Sequence, residues 1–129
     1  MTLLNDLQQT GGTQLYIGGE WREASDGSAF SVLDPATGDA IADVSSGSVD
    51  DALAAVDAAA ESAPAFAAMS PRDRSEILRR AFELMVDRAD DIAELIVAEM
   101  GKAYPEARSE VIYSAEFFRW FSGEAVRNI

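Results

Sequence analysis

Between Tyr113 and Phe121, five of nine residues are aromatic, out of eleven aromatics in a chain of 129 residues. Their spacing is helical. Val111, Ala115 and Phe118 fall on one face, Tyr113, Phe117 and Phe121 on another, and Ile112 and Trp120 widen the apolar arc. A helix that is apolar around most of its circumference is buried on several sides in a finished fold. Fully burying Phe118 or Trp120 is worth roughly 1.5–3 kcal/mol each, and leaving them open creates a patch that marks an interface or an aggregation site. Two readings are open: the helix is the core of a compact helical domain, or its packing partner lies in sequence absent from this chain.

The rest of the chain offers that helix limited cover. Residues 1–13 are polar, break at Gly11-Gly12 and are expected to form a flexible arm. Leu15, Ile17 and Trp21 alternate around Gly18-Gly19, a hairpin signal. A strand is expected around Phe30–Leu33 and another around Ala40–Ser45, with Asp34-Pro35 and Gly38 supplying the turn. The period changes at Ser48. Ser48 and Asp51 form a capping box with Asp in place of the usual Glu, and Val49, Ala52, Leu53 and Val56 follow at helical spacing.

Pro64 is expected to end or kink this helix. Ser70, Pro71 and Asp73 start the next one, whose apolar face is Ile77, Leu78, Ala81, Phe82, Leu84 and Met85. A break near Arg88–Asp91 precedes a helix stopped by Gly101, and the last helix is expected from about Pro105 to about Arg127. The fold class is thus a mostly helical α+β chain, with a short N-terminal β portion and three or four helices. It lacks βαβ alternation and any long apolar strand fit for the centre of a parallel sheet.

Composition removes much chemistry. The chain has no Cys and no His, which excludes thiolate nucleophiles, imidazole bases and ordinary zinc sites. Met100-Gly101-Lys102 resembles the end of a P-loop, but Ala103 stands where Ser or Thr would hold magnesium and the earlier Gly is absent. No Gly-x-Gly-x-x-Gly follows a strand. Asp87, Asp90, Asp91 and Glu94 read as a solvated face, and Lys102 as a helix-end cation. A net charge of −13, with one Lys among ten bases, argues against nucleic acid and anionic membranes as partners. The same balance fits a salt-adapted surface or a merely acidic one. The start, MTLLNDLQQTGG, lacks the basic and apolar regions of a secretory signal, so the expected location is cytoplasmic.

Four segments carry a resemblance: YIGGEW at 16–21, DPATGDAIADV at 34–44, SPRDRSEILRRAFELM at 70–85 and EMGKAYPEARSEVIYSAEFFRWF at 99–121. Their order and spacing resemble the NAD(P)-dependent aldehyde dehydrogenases, in the style of the succinate-semialdehyde dehydrogenase subgroup. Asp34 stands where the family has Asn. The resemblance implies an α/β parent fold in which residues 14–129 are an incomplete N-terminal segment of the NAD(P)-binding domain, with β-hairpins over 14–45 and helices over 48–128. It implies a parent activity that oxidises an aldehyde, plausibly succinate semialdehyde, to a carboxylate, using a Cys, an Asn, a Glu and NAD or NADP. None of those catalytic or cofactor-binding residues is expected in this chain, which alone is expected to be inactive and to need no cofactor.

Two minor sites follow from the resemblance. Backbone carbonyls at Val32 and Leu33 with the Glu99 carboxylate would hold a monovalent cation, the plainer reading of Glu99 being an acidic helix-end residue. Tyr113 and Phe117 would face the substrate entrance, the plainer reading being core packing. The implied partner is the missing C-terminal portion of the enzyme, or a homo-oligomer through 111–121. The rival functions are a standalone helical interaction module docking through its aromatic helix, and a gene fragment with no function of its own.

Overall fold

The computed structural model describes residues 2–127; the expected limits at 128 and 129, and the first residue of the arm, lie outside the described residues. The elements run α1 (Thr2–Thr10), β1 (Leu15–Ile17), β2 (Glu20–Arg22), β3 (Ala29–Leu33), β4 (Ala40–Ser45), α2 (Val49–Ala68), α3 (Pro71–Asp87), α4 (Ala89–Met100) and α5 (Tyr104–Ala125). Contacts divide them into two units, residues 1–64 with 98–101, and residues 65–97 with 102–129. No helix among the described residues is long and apolar enough to cross a membrane.

The first unit contains two antiparallel ribbons, β1 with β2 and β3 with β4. Gly18 and Gly19 both take positive φ, 64° and 90°, as a tight two-residue turn in register with right-handed strands requires. The second turn is built by Asp34. Its Oδ1 accepts from Ala36 N at 2.8 Å, its carbonyl accepts from Gly38 N at 2.7 Å, and its own N–H donates to Asp39 O at 2.8 Å. An Asp side chain therefore supplies the local turn bond.

Residues 1–13, expected as a flexible arm, hold helix α1 over Thr2–Thr10. Thr10 Oγ1 bonds back to Asp6 O at 2.8 Å, and Gly12 N closes the helix on Leu7 O at 2.7 Å, with Gly11 at φ 80°. The Gly-Gly pair that looked like a break is the C-terminal cap of a helix.

Asp51 holds the first unit together. The capping box is reciprocal: Asp51 N donates to Ser48 Oγ at 3.2 Å, and Ser48 N donates to Asp51 Oδ2 at 3.0 Å. The same carboxylate accepts from Ser25 N at 3.0 Å and from Ser25 Oγ at 3.1 Å, while Arg22 approaches Oδ1 at 3.4 Å. With 3% of its surface exposed, Asp51 ties the chain after β2 to the start of α2. α2 then continues four residues past Pro64 to Ala68, so Pro64 does not end the helix. Proline removes one backbone donor, and the turns on either side carry the helix through it.

In the second unit Ser70 caps α3 by accepting from Asp73 N at 3.1 Å, and Arg74 Nη1 donates to Ala67 O and Met69 O, satisfying carbonyls at the end of α2. The break at Arg88 falls between α3 and α4 as the sequence suggested. The core is made of small side chains. Ala89, Ala93, Ala107 and Val111 are buried between α4 and α5, flanked by Ile92, Ile96, Val97 and Ile112. α3 packs along α5, with Ser75 Oγ and Ser122 Oγ 3.0 Å apart. Asp90 accepts from Arg108 Nε at 2.7 Å and from Tyr104 Oη at 3.0 Å, pinning the start of α4 to the start of α5. Asp90 thus has partners on what the sequence marked as a solvated face.

Two outcomes are expected. The N–H of Ser25, then that of Ser48, hold the Asp51 carboxyl down at about 2, against about 3.9 for a free aspartate. A folded value below the unfolded one gives stability that is full above about pH 4 and lost as pH falls towards 2. Asp51→Asn turns an amide NH2 towards those donors and lowers the melting temperature at neutral pH. The gap to wild type closes between about pH 4 and pH 2, read by circular-dichroism melts across that range.

Candidate functional site

The aromatic helix presents its expected faces, and the buried one is lined by small residues. Ala107, Val111 and Ala115 are 0–2% exposed, whereas Tyr113 is 66%, Phe117 49%, Trp120 63% and Phe121 54% exposed. A small or β-branched side chain at every fourth position, Ala107, Val111 and Ala115, lets α5 approach its neighbours closely, and the same rotation turns the rings outward. No large side chain among the described residues is fully buried. Phe118, expected beside Val111 and Ala115, lies at the edge of the buried face at 37% exposure.

Tyr113 and Phe117 pack edge to face with ring centroids 5.1 Å apart. They line a groove of about 390 Å³ with Glu116, Arg119, Trp120 and Phe121. Arg119 is held by Glu116 one turn back, at 2.6 Å from Nε, so the rim charge is paired within the helix. On the other side of Trp120 and Phe121 lies a groove of about 500 Å³, lined also by Phe66, Ile77 and Leu78. One aromatic ridge therefore separates two open grooves.

The three residues considered for a cation are placed as follows. Val32 pairs with Ala42 and Leu33 with Ala40, so the register slips between them and Ile41 is bulged. A bulge disrupts the ladder and frees backbone groups from regular pairing. Glu99 is exposed in the last turn of α4. Gly101 brings that helix end against the β3–β4 turn: its φ is +68°, and a Cβ built on it would lie 2.9 Å from Pro35 Cγ. This contact sets the end of α4 beside the turn that follows Leu33. Among the described residues no three acidic side chains gather as a metal cluster.

The β4–α2 passage is not built to hold a dinucleotide's pyrophosphate. The strand-to-helix passage from β4 to α2 has its helix N-terminus already filled by the Asp51 carboxylate, with Asp50 beside it. A pyrophosphate needs those amides free and meets two acids there instead. Lys102, expected as a helix-end cation, instead donates to Glu110 Oε2 at 2.6 Å.

Three substitutions test this account of α5 and the α4 end. Ala115→Leu forces a branched side chain into a filled contact and costs about 1–3 kcal/mol, whereas Trp120→Ala changes stability by no more than about 0.5 kcal/mol, both read by urea unfolding. Gly101→Ala strains a left-handed residue and crowds Pro35, and lowers stability by about 1–2 kcal/mol in the same assay.

Comparison with known proteins follows the same segments. The family described as "Aldehyde dehydrogenase family" matches residues 21–129. The chain is 42% identical over 114 residues to a glutarate-semialdehyde dehydrogenase of Pseudomonas putida, covering 88% of this chain and 24% of that protein. It is 41% identical over 114 residues to the NADP(+) succinate-semialdehyde dehydrogenase of Escherichia coli, with the same coverage. The crystal structure of an aldehyde dehydrogenase from Brucella melitensis biovar abortus superposes with a TM-score of 0.88 at 41% identity, covering 91% of this chain and 24% of that one. The chain spans about a quarter of the length of the relatives it matches. A paired hairpin unit, a small-residue helical unit and an outward aromatic helix, matched over most of their length, place this chain in the aldehyde dehydrogenase family.

Proposed function

We propose that this chain serves as the N-terminal part of an NAD(P)-dependent aldehyde dehydrogenase that oxidises a semialdehyde to a carboxylate, and that alone it turns nothing over. The observation that carries this is the match to two semialdehyde dehydrogenases over 88% of this chain and 24% of theirs. Composition supports it, because a chain without Cys holds no thiol to attack an aldehyde carbon. Bound NAD(P) supplies the hydride acceptor, and no residue described above is assigned to hold it. What this chain contributes is scaffold: residues 14–129 belong to the cofactor-binding domain, and α5 is a wall of the assembled site.

In that setting Tyr113 and Phe117 face the substrate entrance. Val32, Leu33 and Glu99 hold a monovalent cation that fixes the α4 end to the β3–β4 turn. The cytoplasm is the proposed location. The excess of acids over bases, 23 to 10, is proposed as an adaptation to salt, with stability rising from low to molar salt as self-repulsion is screened.

The test is a covalent graft. Replacing the matched N-terminal segment of the E. coli relative with this chain, in frame, is expected to give an enzyme that reduces NADP with succinate semialdehyde. The purified 129-residue chain is expected to give no rate above buffer. An inactive, well-folded graft contradicts the assignment, and turnover by the chain alone contradicts its silence.

A further inference from the structure

The proposed function treats this chain as part of a longer polypeptide. The exposed face of α5 carries a separate consequence for how the parts associate. Tyr113, Phe117, Trp120 and Phe121 on that face, each roughly half exposed or more, leave on the order of 500 Å² of ring surface open to water. That is at the upper end of what a soluble chain shows without a partner. Glu116 and Arg119 neutralise each other at its rim, so little charge needs to be desolvated when the face is covered.

Two occupants compete for it. A second copy would bury about 1,000 Å² in total through this patch, short of the ~1,200–2,000 Å² of a stable interface. It would also bring together two chains of −13 each. About three quarters of each relative's length lies outside the matched segment, and a body of that size can reach both grooves flanking the Trp120–Phe121 ridge. Area favours the downstream chain, and like charge counts against a second copy.

We infer that the α5 face docks the downstream three quarters of an aldehyde dehydrogenase chain non-covalently, so that the two pieces reassemble without a peptide link. This rests on the proposed function. The ridge of Trp120 and Phe121 is the anchor, set between two preformed grooves with Phe117 lining one of them, and the already folded α5 presents it with little further ordering. The α4–α5 contact through Ala89, Ala93, Ala107 and Val111 is complete within this chain, so docking requires no rearrangement of it.

The experiment co-expresses the 129-residue chain with the E. coli relative lacking its matched N-terminal segment. It reads co-elution by light scattering and NADP reduction with succinate semialdehyde. The expected result is a stoichiometric complex with activity. Phe117→Glu/Trp120→Glu, whose circular dichroism stays at wild type because both side chains are exposed, weakens the complex about 30-fold or more. Trp120→Phe retains it. If the two pieces stay apart while the covalent graft is active, the inference fails and the functional assignment stands. If the graft is also inactive, the assignment fails with it. A complex indifferent to Phe117→Glu/Trp120→Glu overturns the assignment of the docking face.

Discussion

The close packing of α5 through Ala107, Val111 and Ala115 is the constraint on which the second unit depends. Alanine contacts bring helices near one another and restrict their sliding, but they bury little apolar area per residue. Their stabilisation is correspondingly modest, and the Asp90 bonds to Arg108 and Tyr104 act at the periphery, where exposed ion pairs contribute about 0–1 kcal/mol. The same choice fixes the outward direction of the rings. A helix that spends its inner face on small residues has its large apolar side chains left for whatever comes next. The relatives this chain matches are about four times as long, and the proposed function assigns the cover of that outward face to their further chain.

The first unit is organised differently. It has two ribbons that are marginal by themselves and a helix, α2, whose Val49, Leu53 and Val56 point outward at 77%, 58% and 64% exposure. What binds the segments is polar. Asp51 gathers the backbone and hydroxyl groups of Ser25 and Ser48, Ser45 N at the end of β4 reaches Thr13 O in the chain leading into β1, and Ser46 N reaches Ser28 O, extending the β3–β4 pairing. A polar junction of this kind fixes geometry without needing a large core. It also occupies the α2 N-terminus, so the chain's strand-to-helix turn is structural and not a cradle for phosphate.

Much of this was legible from residues whose local chemistry decides their conformation. Gly18-Gly19, the Asp34-Pro35 turn, Ser48 with Asp51, Ser70 before Pro71, and Gly101 each mark a boundary that the structure places where the sequence put it. One signal misled. Gly11-Gly12 reads equally well as a break or as a helix cap, and the distinction depends on Leu7 O being in reach of Gly12 N. Pro64 reads as an end or a kink, and the strong helix formers around it, Ala60, Glu61, Ala63, Ala65, Ala67 and Ala68, carry α2 past it. The partners of Asp51, Asp90 and Lys102 were invisible, because Ser25, Arg108 and Glu110 are distant or unremarkable in sequence. The inward and outward faces of α5 were separable by spacing alone, but which face was buried depended on side-chain size and not on hydrophobicity.

The most direct measurement uses Trp21→Phe, which leaves Trp120 as the chain's single tryptophan. Its emission and acrylamide quenching would be read in the monodisperse chain and in the graft onto the E. coli relative. An outward ridge awaiting cover predicts red-shifted, freely quenched emission from the chain alone, and blue-shifted, protected emission in the graft. Blue-shifted, protected Trp120 in the monomeric chain would contradict the account, because it would mean that this polypeptide covers its aromatic helix by itself.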